Sequence, residues 1–393
     1  MTFKILTLNN IAVAGLQRLP RERYEVASEI ARPDAILVRS ADMREMPLAS
    51  TLLAVGRAGV GVNNIPVAAL SNRGIPGFNA PGANANAVKE LVIAGLLMAA
   101  RNLPEACNYV RGLKADGDEL EVAVEAGKKQ FVGFELPQRT LGVVGLGAIG
   151  VEVANAALQL RMQVMGYDPT ITVQSAWQLS SGVQKAHNLD ELFSRSDVVS
   201  VHVPLTADTR GLVDKNRLKL MPRGSILLNF ARSEIVQEAA VLEALGAGKL
   251  RAYVTDFPSR ELIDHPKAIC LPHLGASTRE AEENCAIMVV DNVREFLENG
   301  NVIRSVNFPD AVLPRSRPHR LAIPHRNVPN MVAQILTALA AQNINIANLL
   351  NQSRGDLSYT IVDLDGEANE ETLQRIRAID GILSTRVMPI VES

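Results

Sequence analysis

Cysteine is scarce. Three residues in 393, Cys107, Cys270 and Cys285, are scattered and have no CxxC or Cys/His spacing, which argues against a disulfide framework and a structural zinc site. A reducing, cytoplasmic compartment is the expectation, with no metal. Net charge is nearly absent as well: 40 basic against 42 acidic side chains leave no long-range field to draw in nucleic acid or an anionic membrane surface. Any anionic ligand must be met by local positive groups. Long apolar runs are also missing. The most apolar stretch, LVIAGLLMAA at 91–100, is about half the ~20 residues a membrane span needs, and Glu90 and Arg101 flank it, so it reads as a buried core helix. The opening MTFKILTLNN has no basic region ahead of a long apolar one, which argues against a signal peptide.

What the chain does have is alternation. Short apolar runs (KILTL, AILVRS, LLAVGRAGVG) alternate with helix-like stretches over residues 1 to about 97, an α/β lobe. From TLGVVGLGAIG onward, QVMGYD, VVSVHVP, SILLNFA, AYVTDF and AICLPHLG are spaced widely enough for crossover helices, the pattern of a doubly wound parallel sheet. Ser277 to Glu280 forms a capping box, and the spacing of Cys285, Met288, Val289, Val293, Phe296 and Leu297 predicts one long helix ending at Gly300. Residues 305–319, with three prolines, read as a linker. Beyond them come a strand, a helix from about Met331, a strand around Tyr359 to Leu364, a helix from Glu370 and a strand through Val387 to Val391, which suggests a βαββαβ sandwich. The predicted domains are 1–97 with 283–312, then 98–282, then 320–393.

The glycines of GLGAIG each have a physical task. Gly145 permits the tight turn, Gly147 lets backbone amides approach a pyrophosphate, and Gly150 lets the following helix pack on the strand. A strand-like run precedes them and a helix follows. Asp168 ends the next strand, near the ~20-residue offset at which an acid holds the ribose hydroxyls. A carboxylate there repels the extra phosphate of NADP, so NAD is the expected cofactor.

Three polar groups follow strand ends in this lobe: Arg232, the loop from Asp256 to Glu261, and His273. Oxidising a secondary alcohol needs a base, a group that orients the base, and a cation for a substrate carboxylate. Taken singly, each has a structural alternative: a solvated loop arginine, an acid at a helix N-terminus, a satisfied histidine. Of the remaining histidines, His202 reads as a strand residue beside the cofactor crevice.

Through TLGVVGLGAIG, SVHVPLTADTRGLV, MPRGSILLNFARSEIV and LPHLGAST the chain resembles the NAD-dependent D-isomer-specific 2-hydroxyacid dehydrogenases. The resemblance implies two Rossmann-like lobes, one for substrate and one for NAD, with a ferredoxin-like ACT regulatory domain at the C-terminus. It makes Arg232 the substrate-carboxylate ligand, His273 the acid/base and Glu261 its support. Beside the glycines and Asp168, it places Ala148, Ile149, Val203, Phe230, Ala231, Asp256, Gly275 and Ala276 against the cofactor. The family commonly reads Asp-Val-Phe where this chain reads Thr-Asp-Phe, which makes Glu261 the least secure of the three.

Members with an ACT domain imply a phosphorylated substrate, and Arg39, Ser40 and Asn84 match positions that contact it. The expectation is NAD-dependent oxidation of D-3-phosphoglycerate to 3-phosphohydroxypyruvate, the opening step of L-serine synthesis. The ACT resemblance further implies an L-serine effector site of His325, Asn327 and, by spacing, Asn345, although Asn330 stands where that motif has glycine. Family members usually form homodimers or homotetramers. The alternatives are a reductase of hydroxypyruvate or glyoxylate, and a dinucleotide-sensing interaction protein without turnover.

Overall fold

The computed structural model describes residues 2–390. Three sheets organise them. The first is parallel, with Phe3–Leu8 (β1), Tyr24–Ala27 (β2), Ala35–Val38 (β3), Ala54–Arg57 (β4) and Gly77–Phe78 (β5) in the order β2-β1-β3-β4-β5. The second, also parallel, contains Thr140–Val144 (β6), Gln163–Tyr167 (β7), Gln184–Lys185 (β8), Val198–Val201 (β9), Ser225–Asn229 (β10), Leu250–Thr255 (β11) and Ala268–Cys270 (β12). Its order, β12-β11-β10-β9-β6-β7-β8, reverses direction at β6. The third is antiparallel: His319–Arg326 (β13), Ile346–Arg354 (β14), Leu357–Leu364 (β15) and Arg386–Val387 (β16), in the order β14-β15-β13-β16.

Both parallel sheets are built from β-branched and aliphatic runs buried on two faces, as β3, β9 and β10 are along their whole length. The third sheet carries the Met331–Ala340 and Glu370–Arg377 helices and completes the ferredoxin-like arrangement. Its last strand is shorter than expected, and Val391 lies outside the described residues.

The chain divides into two compact units, Met1–Asn84 with Arg279–Ser393, and Ala85–Thr278. Close backbone approach decides which unit each connecting helix joins. A Cβ on Gly95 would lie 3.0 Å from both Phe230 and Val254, so the whole Ala85–Arg101 helix packs on β10 and β11 of the second unit. Gly15 meets Ala286, and Gly56 meets Val293, in the same way, which fixes the Arg279–Asn299 helix in the first. The switches therefore fall at 84/85 and 278/279, whereas the sequence suggested 97/98 and 282/283.

The third sheet shares an apolar core with the first. Ala322, Tyr359, Ile361 and Met388 pack in one cluster with Ile5, Phe78, Phe296 and Phe308. Each of the larger side chains contributes about 1.5–3 kcal/mol by leaving water. Tyr359 also donates to the Gly300 carbonyl, 2.9 Å away. The Arg386 guanidinium donates to the Phe296 and Leu297 carbonyls at the end of the long helix, 3.1 and 2.6 Å away. The expected linker at 305–319 is likewise pinned at its start. Asn307 accepts from the Gly77 amide and donates to the Ile75 carbonyl, 2.9 Å each, while Ser305 and Phe308 are buried. Prolines there end strands without freeing the chain. Among the described residues no helix is long and apolar enough to cross a membrane, and no cluster of His, Cys, Asp and Glu is placed to hold a metal.

Candidate active site

In the second unit, β6 ends at Val144 and the chain turns at Gly145, whose φ of +92° suits glycine. Gly147, in extended conformation, caps the Ala148–Gln159 helix, and a side chain on it would meet nothing within 4 Å. At Gly150 the opposite holds. A Cβ would lie 1.9 Å from the Gly145 carbonyl oxygen, so glycine is what lets the helix close on the turn. Open space in front of a helix N-terminus with free amides fits the pyrophosphate of a dinucleotide. Asp168, just past β7, accepts from the Leu146 and Thr170 amides, 2.8 Å each, which binds the glycine turn to the neighbouring strand. Ala148 is exposed at this mouth and Ile149 half-buried; Val203, Ala231 and Ala276 are half-buried, and Phe230 and Gly275 buried.

Arg232 and His273 follow β10 and β12, and Asp256 follows β11 between them in the sheet. Asn229, 0 % exposed, braces the arginine's turn: its side chain donates to the Arg232 carbonyl at 2.9 Å and accepts from the Ala231 amide at 3.1 Å. Sequence reasoning passed over Asn229 because it sits inside a strand run. The His273 ring rests on Phe257, centroids 4.9 Å apart. Burial pushes the Asp256 carboxyl up from its ordinary range, opposed by the charges of His273 and Arg232 and by the Gly275 amide.

Arg232, Asp256 and His273 thus form one electrostatic cluster, and the structure does not bring Glu261 into it. Ser259 caps the short Arg260–Ile263 helix through the Leu262 amide and is itself tied to Glu238, 2.8 Å away. That cap leaves Glu261 exposed in the first helical turn. His202 directly follows β9, bonded to Ser200 at 2.8 Å, and burial pulls its pKa down to about 4. It is neutral at pH 7 and a weak base.

In the first unit, Arg39 and Arg57 leave adjacent strands, since Val38 pairs with Arg57 in the β3–β4 register. Burial raises the Cys285 thiol, and both guanidinium charges oppose that rise. Arg39 donates to Glu282 at 2.6 Å. Ser40 is exposed, and Asn84, 9 % exposed, has a side-chain oxygen without a hydrogen-bond partner. Arg57 was not singled out from the sequence. A second basic residue at a neighbouring parallel strand end was the available signal.

Of the effector residues, His325 is buried and bonded through both ring nitrogens, to the Arg326 carbonyl and Thr360, 2.8 Å each, and to Asn351 at 3.2 Å. Asn327 donates to the Gly355 carbonyl at 3.0 Å. Asn345 bonds Asp365 instead, beyond the Ile346–Leu364 pair, while His325 pairs with Ser358. It is at the other end of the sheet from His325 within one chain. Asn330 takes the left-handed conformation (φ 66°) that glycine would otherwise supply.

A doubly wound sheet with a glycine turn at its switch point, an acid on the next strand and a histidine and arginine at neighbouring strand ends defines an NAD-dependent oxidoreductase. Residues 93–275 match the D-isomer specific 2-hydroxyacid dehydrogenase NAD-binding domain. The chain belongs to that family. It is 31% identical over 353 residues to the D-3-phosphoglycerate dehydrogenase of Escherichia coli, covering 86% of this chain and 82% of that one. It is 38% identical over 297 residues to the enzyme of the same name from Archaeoglobus fulgidus, with 73% of this chain matched, and it spans about half (54%) of that relative's length. Among solved structures it is similar to the NAD+-bound 3-phosphoglycerate dehydrogenase of Entamoeba histolytica, with a TM-score of 0.61 and 26% identity, covering 78% of this chain and 99% of that one.

Proposed function

We propose that this chain oxidises D-3-phosphoglycerate to 3-phosphohydroxypyruvate. The observation that carries the choice of substrate is the pair of guanidinium groups, Arg39 and Arg57, at adjacent strand ends in a protein with almost no net charge. A phosphate dianion needs such a charge-assisted grip. The Arg39–Glu282 pair is about one-third exposed on each side (36% and 40%), so it is screened, weak and readily exchanged for a substrate anion.

Bound NAD supplies the hydride acceptor. Arg232 binds the substrate carboxylate, and His273 takes the C2 hydroxyl proton as the C2 hydride departs. Asn229 keeps the Arg232 turn in place.

The test is a panel of D-3-phosphoglycerate, D-glycerate, hydroxypyruvate and glyoxylate followed by NADH absorbance. The phosphorylated substrate should lead in kcat/KM by about 10²-fold or more, the scale on which a site built for a polar group rejects analogues lacking it. Equal rates with unphosphorylated acids would replace this reading with that of a general 2-oxo acid reductase. Arg39→Glu should raise KM for the phosphorylated substrate by about 10²-fold while leaving kcat within a few-fold, because the lost interaction is made equally in ground and transition states.

The same reading includes L-serine as an effector at the Asn327 loop, supported by Asn330 holding the conformation that the loop requires. Saturating L-serine should lower turnover, and unchanged turnover would leave the third sheet a purely structural role. A homodimer or homotetramer is proposed as the assembly, supported by the exposed apolar residues Leu103, Val110, Val122 and Val132 in the second unit. Light scattering reads the mass directly.

A further inference from the structure

The search for a partner to His273 leads to an acid other than the one expected. An imidazole that takes a proton during hydride transfer works best with a carboxylate that fixes its orientation and stabilises its charged form. Glu261 was the candidate by resemblance, yet it is exposed on a helix whose start is set by the Ser259 cap. Asp256 is 1 % exposed at the carboxyl end of β11. No side-chain donor bonds either of its carboxylate oxygens. A buried carboxylate in that condition is costly unless a cation faces it. The next residue, Phe257, carries the His273 ring against its own ring at 4.9 Å. Gly275, two residues past His273, is the other wall, where a Cβ would lie 3.6 Å from the Asp256 carboxylate.

We propose that Asp256, and not Glu261, is the carboxylate that positions His273. The two sit on adjacent strand ends of the sheet, joined by the Phe257 contact on one side and Gly275 on the other. The charged groups facing Asp256 are His273, from the loop after β12, and Arg232, from the loop after β10. Burial raises the Asp256 carboxyl and these two cations lower it, so protonation of His273 during the reaction stabilises the ionised carboxylate. The arrangement also accounts for the Thr-Asp-Phe order of this chain. Thr255 accepts the Phe257 amide at 3.1 Å, which turns the strand end so that the aspartate faces inward and the phenylalanine meets the histidine.

This inference rests on the dehydrogenase reading but not on the identity of the substrate. It is tested with Asp256→Asn and Glu261→Gln in the full chain, using whichever hydroxy acid of the panel turns over best. Asp256→Asn should lower kcat about 10²-fold, keep NADH binding, and move the acidic limb of the kcat/KM profile for oxidation to lower pH by about one unit, since the imidazolium loses its counter-charge. Glu261→Gln should stay within about twofold and leave the profile in place. A tenfold or larger loss in Glu261→Gln, or a slow Asp256→Asn enzyme with an unmoved limb, would overturn the assignment. Should Asp256→Asn fail to bind NADH, Glu261→Gln decides alone: near-full activity with an unmoved limb upholds the proposal, and a tenfold loss rejects it. A wild-type enzyme that prefers an unphosphorylated acid would refute the substrate reading and leave this test intact.

Discussion

His273→Asn should reduce kcat for hydroxy-acid oxidation by about 10³-fold, within the usual 10²–10⁴ range for a lost general base, with NADH affinity unchanged within about twofold. The separation of effects follows from the geometry. The glycine turn, Asp168 and the Ala148–Gln159 helix are held by backbone packing and by the bonds of Asp168 to Leu146 and Thr170. None of these contacts includes the histidine. His273 is exposed after β12, and its printed ring contact is to Phe257. Asparagine keeps a polar side chain there without a titrating nitrogen. His202 cannot substitute, because burial leaves it a weak base with a pKa of about 4. Stopped-flow turnover and fluorescence titration of NADH check the two halves separately. Turnover within about tenfold of wild type would remove His273 from the chemistry and return it to a structural role beside Phe257.

Arg320→Met should destabilise the first unit by about 3–5 kcal/mol, a fall in melting temperature on the order of 10 °C. Arg320 and Asp363 face each other across β13 and β15, both 0 % exposed, in a bidentate pair at 2.5 and 3.0 Å. Arg320 also donates to the Asn299 carbonyl, and the Ser316 amide and hydroxyl donate to Asp363. The pair therefore ties the third sheet to the end of the long helix. Removing only the arginine leaves a buried carboxylate with two serine donors and no counter-ion, and that residual charge is the source of the cost.

Arg320→Met/Asp363→Leu should recover most of the loss, because apolar residues of similar volume replace a buried pair at little or no penalty. The pH dependence has a definite sign. Burial raises the Asp363 carboxyl, but its bonds to Arg320 and Ser316 hold it below the ordinary range. A depressed folded value means its stabilisation is complete above about pH 4, the unfolded range, and is lost as pH falls through the lower folded value. The single variant should lose that acid sensitivity together with its stability. Calorimetry from neutral to acid pH checks both statements, and a shift of under about two degrees at neutral pH would show the pair to be dispensable.

Much of this was legible in the residues themselves. The strand runs, the glycine turn with Asp168, the long helix from Ser277 and the histidine and arginine at strand ends are local patterns, and the comparisons with known proteins bear out the fold class, the family and NAD. Less legible were the quantities that depend on contacts distant in sequence. The assignment of the Ala85–Arg101 helix turns on Gly95 meeting Phe230 and Val254, more than a hundred residues away. The stretch at 305–319 has a linker's composition, yet Asn307 bonds Gly77 and Ile75. Arg57 became visible only when β3 and β4 were laid side by side.

By itself, then, the sequence determined what period-2 runs, glycine turns and strand-end polar residues can encode: a dinucleotide-binding doubly wound sheet with the ingredients of an alcohol-oxidising centre. Only the tertiary structure decided which acid stands beside His273, because Asp256 and Glu261 are five residues apart and differ in a single local event, the helix cap at Ser259 that turns one outward while the strand end turns the other in. It also decided that the C-terminal sheet shares a core with the first, since Tyr359, Met388 and Phe296 can bury one another only after the chain has folded back across most of its length.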